Sequence, residues 1–167
     1  MKEKVAVVHN GIIENYQALK QYLLKKGYVF VSETDTEVLL HQIGRELAGE
    51  QRPALVELWS RVARRLDGAY SLVLLNALGE MLVVRDPLGF KPLCYAYLDP
   101  LFAAASESVA LVNLGFPPES IKSLAPGEAI TISQGRLEIR PFAPSSRQAH
   151  CFFEWIYFAN VASTMDG

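Results

Sequence analysis

At 167 residues the chain has the length of one domain and enough residues to bury a core. Half of it is hydrophobic and a fifth charged, with 11 glycines and 9 prolines, which excludes disorder, collagen and low-complexity material. A formal net charge of -2 offers no footprint for nucleic acid or an anionic membrane, no apolar run is long enough to span a bilayer, and Met1-Lys2-Glu3-Lys4 lacks the apolar stretch of a signal peptide, so the chain is expected to be cytoplasmic.

The first element is a short apolar run, Val5-Ala6-Val7-Val8, which predicts a buried strand ending in a turn at His9-Asn10-Gly11. A helix follows over Tyr16 to Lys26, with Leu19, Tyr22, Leu23 and Leu24 recurring along it, Lys25-Lys26 at the negative end of the dipole and Gly27 as C-terminal cap. Tyr28 to Val31 then reads as a strand. Thr34-Asp35-Thr36-Glu37 has the spacing of a capping box, and Val38, Leu39, Ile43 and Leu47 continue it at helical spacing. Pro53 opens a third helix through Leu55, Leu58, Trp59, Val62 and Leu66, closed near Gly68.

Beyond this point hairpins are predicted: Ala69 to Asn76 with Met81 to Val84, Leu93 to Tyr97 with Leu101 to Ala105 around Asp99-Pro100, and Glu128 to Ser133 with Arg136 to Phe142 around Gln134-Gly135. A short helix covers Ser108 to Leu114, and Pro141 to Gln148 reads as a loop. Helices early and antiparallel hairpins later give an α+β domain of sheet layers covered by helices, without the regular alternation of a doubly wound sheet.

Two cysteines, Cys94 and Cys151, form no Cys-x-x-Cys pair, and His9, His41 and His150 are widely separated, so no metal is assigned. The segment His9-Asn10-Gly11-Ile12-Ile13-Glu14-Asn15-Tyr16, followed by Ser32-Glu33-Thr34-Asp35-Thr36-Glu37, closely resembles the glutaminase domain of the class II glutamine amidotransferases, which are N-terminal-nucleophile hydrolases. The resemblance implies that Asn10 and Gly11 form an oxyanion hole and that Asp35 binds the α-amino group of glutamine. Cleaving a carboxamide passes through a tetrahedral oxyanion, and a side-chain amide beside a glycine N–H can be fixed about 3 Å from that oxygen. A carboxylate on the substrate ammonium would select free glutamine. Asn-Gly is also an ordinary turn dipeptide, and Asp35 and Glu37 are also favourable helix-start charges. His9 and His41 are read as structural or surface residues.

The second half resembles one branch of that family. Arg85-Asp86-Pro87-Leu88-Gly89-Phe90-Lys91-Pro92-Leu93, Ala105-Ser106-Glu107-Ser108, Pro126-Gly127-Glu128 and Cys151-Phe152-Phe153-Glu154-Trp155-Ile156-Tyr157-Phe158-Ala159 look like the amidophosphoribosyltransferases, which open purine biosynthesis. In wording the front motif is closer to glucosamine-fructose-6-phosphate aminotransferase, and a non-catalytic binding domain is a third reading. Arg85 and Asp86 are expected to be held by backbone contacts in a turn rather than to catalyse.

The resemblance implies the αββα four-layer sandwich of N-terminal-nucleophile hydrolases, incomplete at the N-terminus: residues 1–167 form one partial glutaminase domain ending at a junction with a phosphoribosyltransferase domain. The family nucleophile is an N-terminal cysteine whose α-amine is its base, and neither Cys94 nor Cys151 has a free α-amine. Asn160-Val161-Ala162 departs from the family's Arg-Pro-Asp. The expected partners are glutamine, the missing N-terminal segment and the phosphoribosyltransferase domain, which would hold Mg; no cofactor is assigned to this chain. Cys151 matches an iron-sulfur ligand of some members but is read as a buried thiol. A sheet edge left open by missing strands would favour self-association into a homo-oligomer.

Overall fold

Two antiparallel sheets face each other between layers of helix, in a computed structural model that describes residues 4–49, 52–145 and 147–165. The Met1-Lys2-Glu3 start, the Asp166-Gly167 end and Ser146 within the expected loop lie outside the described residues. In chain order the elements are β1 (Val5–Ile13), α1 (Tyr16–Lys25), α2 (Asp35–Leu47), α3 (Leu55–Ala63), β2 (Gly68–Asn76), β3 (Met81–Arg85), β4 (Cys94–Leu98), β5 (Leu101–Ala105), α4 (Ser108–Asn113), β6 (Lys122–Ser123), β7 (Glu128–Ser133) and β8 (Arg136–Pro141). A single π-helical turn spans Glu154–Phe158. The larger sheet runs β1-β2-β3-β7-β8 and the smaller β5-β4-β6.

Side-chain alternation along the strands separates the layers. Leu72, Leu74, Leu82, Val84 and Ala129 join Leu39, Ile43, Leu58, Trp59 and Val62 of the helices in one buried cluster. Their neighbours one residue away, Val83 and Ile130, turn the other way to meet Leu93, Leu124, Tyr95 and Phe102 between the sheets. Beyond the smaller sheet, Cys94 and Ala96 bury against Leu111 and Phe116. Three apolar interfaces therefore bind four layers, helix, sheet, sheet and helix, which is the expected αββα order. Trp59, fully buried, meets the Tyr70 ring edge-on at 5.5 Å between centroids.

The three hairpins form as expected. So does the end of α1: Gly27, at φ +84°, donates its N–H to Leu24 while Tyr28 donates to Leu23, which closes the helix carbonyls as a Schellman cap. Three local expectations are corrected. β1 does not end at His9 but pairs with β2 from Val5↔Asn76 through Ile13↔Gly68, so Asn10-Gly11 lies inside a strand and not in a turn. Residues 28–31 are not a strand: the N–H groups of Val31 and Ser32 are taken by the Glu37 carboxylate at 2.8 and 2.7 Å rather than by a neighbouring strand. The same bonds correct the capping box. α2 does start after Thr34, but the Thr34 side chain caps nothing, and Glu37 reaches past it to Ser32, whose hydroxyl also donates to it at 2.6 Å.

These donors, led by the Ser32 hydroxyl, hold the Glu37 carboxyl below the usual range. A carboxylate with a depressed native pKa stabilises the fold above its unfolded value and loses that contribution as pH falls through the native one. Glu37→Gln should therefore be less stable than the parent at pH 7, with the gap closing below about pH 4. Urea midpoints at pH 7 and pH 3 measure this, and an equal gap at both would contradict the assigned role.

Arg85, the last residue of β3, and Asp86, the first after it, are both 1% exposed. Arg85 donates to the carbonyls of Lys91, Leu124 and Gly89 at 2.8 to 3.0 Å, and the Asp86 carboxylate accepts from the N–H groups of Leu88 and Phe90 at 2.9 and 3.1 Å. Buried charge is here satisfied by backbone, which is the structural role expected for the pair.

Candidate functional site

The extended passage of β1 through His9-Asn10-Gly11 depends on glycine. Gly11 sits at φ +143°, and a Cβ there would lie 2.0 Å from the Ala69 carbonyl oxygen on β2. Alternation along β1 turns Val7 and Ile13 toward the helices, while Ala6, Val8, Asn10 and Ile12 face the other side of the sheet. There Val8 and Ile12 are 72% and 63% exposed, because the smaller sheet does not extend over β1, an edge strand among the described residues.

Asn10 is held from that side. Its Nδ2 donates to the Ser106 hydroxyl, just after β5, at 3.0 Å. On the opposite side α2 docks its first turn on the strand: the Ile13 N–H donates to Asp35 Oδ2 at 2.8 Å, and His9 Nδ1 lies 3.1 Å from the Thr36 hydroxyl. Because the Glu14 N–H points inward to the Asp67 carbonyl, the Ile13 N–H points to the outer edge; ladder alternation puts the Gly11 N–H, two residues earlier, on the same edge. Asn10, Gly11 and Asp35 thus converge on one rim of the larger sheet. One oxygen of Asp35 is committed to Ile13, and its side chain retains 22% exposure.

Of the two expectations for His9, structural or surface, the structural one holds: its side chain is 2% exposed. Burial pushes its imidazole pKa down, Asp35 at 3.9 Å pulls it up, and Lys91 opposes protonation. His9 is accordingly neutral at pH 7 and serves to seat α2 on β1 through Thr36.

A groove of about 440 Å³ opens beside this rim, lined among others by Ile12, Glu14, Phe90, Lys91, Cys151 and Phe158. Its far wall is a strap, residues 149–165, fastened by polar contacts. The Ala149 N–H donates to the Leu88 carbonyl at 2.8 Å, Lys91 Nζ pairs with Glu154, and the Asn160 N–H and Ser163 hydroxyl both donate to Glu107, at 2.7 and 2.9 Å. Lys91, Glu154, Glu107 and Ser106 belong to the motifs that carry the resemblance, and their contacts depend on the folding that joins distant segments. A larger cavity of about 850 Å³ lies between the end of α1 and α2, beside Lys26, Tyr28 and His41, and touches none of Asn10, Gly11 or Asp35.

The surroundings of Cys94 do not activate its thiol. Cys94 donates to the Ala105 carbonyl at 3.2 Å beneath α4, and burial pushes its thiol up to about 11. Cys151 is half-buried on the groove wall, not fully buried as expected. Among the described residues no three His, Cys, Asp or Glu side chains are grouped to hold a metal.

A family model described as "Glutamine amidotransferase domain" matches residues 1–113. The chain is 41% identical over 165 residues to an amidophosphoribosyltransferase of Methanothermobacter thermautotrophicus, covering 98% of this chain and 34% of that one. It is also 41% identical to a glutamine-fructose-6-phosphate aminotransferase of Mesorhizobium japonicum, but over 107 residues, 64% of this chain and 17% of the other. Among solved structures it superposes at TM-score 0.86 and 30% identity on the glutamine phosphoribosylpyrophosphate amidotransferase of B. subtilis complexed with ADP and GMP, covering 98% of this chain and 34% of that one. The chain spans about a third of the length of the curated amidophosphoribosyltransferases it matches.

Proposed function

We propose that this chain, which belongs to the glutamine amidotransferase domain family, is the glutamine-handling portion of an amidophosphoribosyltransferase, releasing ammonia that forms phosphoribosylamine from phosphoribosyl pyrophosphate at a site outside these residues. The observation that supports the reading is the groove lined by Ile12 and Glu14, the chain neighbours of Gly11 and of the Asp35-bound Ile13, and by Cys151, Phe153 and Phe158 of the strap; Asn10, Gly11 and Asp35 stand beside it and not in its lining. The likeness to amidophosphoribosyltransferase runs over 98% of the chain, the strap included, and the likeness to the sugar aminotransferase over 64%.

In this reading a cysteine sulfur supplied from outside these residues attacks the glutamine carboxamide carbon. The carbonyl oxygen becomes an oxyanion, which accepts from the Gly11 N–H and an Asn10 Nδ2–H. Collapse of the intermediate expels the nitrogen as ammonia and leaves a glutamyl thioester, which water hydrolyses to glutamate. Asp35 Oδ1, which also accepts from the Thr36 hydroxyl at 3.5 Å, holds the substrate ammonium while Oδ2 keeps α2 on β1. Self-association through the open edge of β1, where Val8 and Ile12 lie exposed, belongs to the same reading.

The test is Asp35→Asn in a preparation joined with a cysteine-bearing N-terminal segment. The amide keeps an oxygen for the Ile13 N–H but loses the charge, so KM for glutamine should rise about ten- to a hundredfold while kcat changes far less. An unchanged KM would leave Asp35 a helix anchor only. Phosphoribosyl pyrophosphate and fructose 6-phosphate offered as acceptors to the longer enzyme would then separate the two branches.

A further inference from the structure

We infer that Ser106 is a positioning residue for Asn10, fixing which face of the Asn10 amide meets the developing oxyanion; this rests on the glutaminase reading above. A primary amide carries two N–H donors on one end and an acceptor oxygen on the other. A half-turn about its last side-chain bond would present that oxygen to the oxyanion and replace attraction by repulsion. The contact of Asn10 Nδ2 with Ser106 Oγ at 3.0 Å uses one of the two donors and holds the nitrogen end in place. The second N–H is left for substrate. Among the described residues no other hydrogen bond of the Asn10 side chain has this effect: its neighbours along the strand, Val8 and Ile12, are apolar and largely exposed.

Ser106 is itself fixed from behind. The next two residues, Glu107 and Ser108, fasten the strap: Glu107 accepts from the Asn160 N–H and the Ser163 hydroxyl, and Ser108 Oγ accepts from the Thr164 N–H at 2.7 Å. Ser108 is also the first residue of α4 and is buried. Three consecutive residues therefore connect the oxyanion donor on β1 to the strap that walls the groove, across 96 residues of sequence between Asn10 and Ser106. A serine is suited to this place because its hydroxyl accepts the amide hydrogen without adding a charge beside the oxyanion.

The experiment reads the Asn10 side-chain amide by NMR in the ¹⁵N-labelled 167-residue chain. In the unaltered chain one of its two protons should show the weak temperature dependence and slow exchange of a bonded donor, and the other should behave as solvent-facing. Ser106→Ala should make the two alike, and Ser106→Thr should restore the difference. In the chain joined with its cysteine-bearing segment, Ser106→Ala should lower kcat roughly tenfold, with KM for glutamine unchanged. Two solvent-like protons in the unaltered chain, an Asn10 signal indifferent to Ser106→Ala, or an unchanged kcat would overturn the inference. The measurement on the unaltered chain decides the matter even if a variant fails to fold. Because the amide signal needs no turnover, it also separates a wrong role for Ser106 from a wrong glutaminase reading: in the latter case the bonded proton persists while Asn10→Ala leaves activity untouched.

Discussion

Replacing Gly11 with alanine is expected to destabilise the chain by about 3 kcal/mol or more. The added Cβ would meet the Ala69 carbonyl oxygen at 2.0 Å, and the Ala69 carbonyl carbon and Tyr70 Cα at 2.9 Å. All three are backbone atoms and cannot rotate aside. Relief would require β1 and β2 to part where Gly11 is paired with Tyr70, with paired residues on either side in a nine-residue ladder. Gly68 across the ladder offers no slack, since a Cβ there would lie 2.2 Å from the Ile12 carbonyl oxygen. Gly27→Ala is the control: it also has positive φ, at +84°, but nothing lies within 4 Å, so only the left-handed backbone penalty of about 1 kcal/mol applies. Urea unfolding of both variants measures the difference. A Gly11→Ala chain no less stable than Gly27→Ala would remove the close approach from the account of the site.

Asn10→Ala is expected to lower kcat for ammonia release by about a hundredfold or more, with little change in KM for glutamine. In the proposed reading the amide nitrogen serves charge that exists only after nucleophilic attack, so its loss should raise the barrier by about 3 to 4 kcal/mol and leave ground-state binding untouched. Asp35 should show the opposite pattern, because it meets a charge that glutamine carries from the start. Steady-state kinetics on the two variants in one preparation compare them directly. A KM effect at Asn10 with kcat preserved would move it from the oxyanion to a substrate-binding role.

Periodicity in the sequence was enough to locate the hairpins and helices, because each is a local pattern: alternation about Gln134-Gly135, or apolar residues in helical register from Val38 to Leu47. It failed at Asn10-Gly11, where a dipeptide that makes turns in isolation was kept extended by nine residue pairs with β2, a strand that follows more than fifty residues later. It failed likewise at Tyr28 to Val31, where the N–H groups of Val31 and the following Ser32 found the Glu37 carboxylate instead of a partner strand. The site was legible in Asn10, Gly11 and Asp35 only through resemblance to a family, since nothing in their spacing says that α2 will return to β1. Ser106 and the Lys91–Glu154 fastening depended on contacts between distant segments, and so could be quoted from the sequence but not given work.

The most direct test of the central claim is ammonia release from glutamine by the 167-residue chain, alone and after addition of an N-terminal segment that begins with cysteine. The account predicts no release from the chain alone, because the buried Cys94 and the internal Cys151 both lack a free α-amine. It predicts release with the added segment, and none when that segment's cysteine is replaced by alanine. Release by the chain alone that disappears on Cys94→Ala or Cys151→Ala would contradict it.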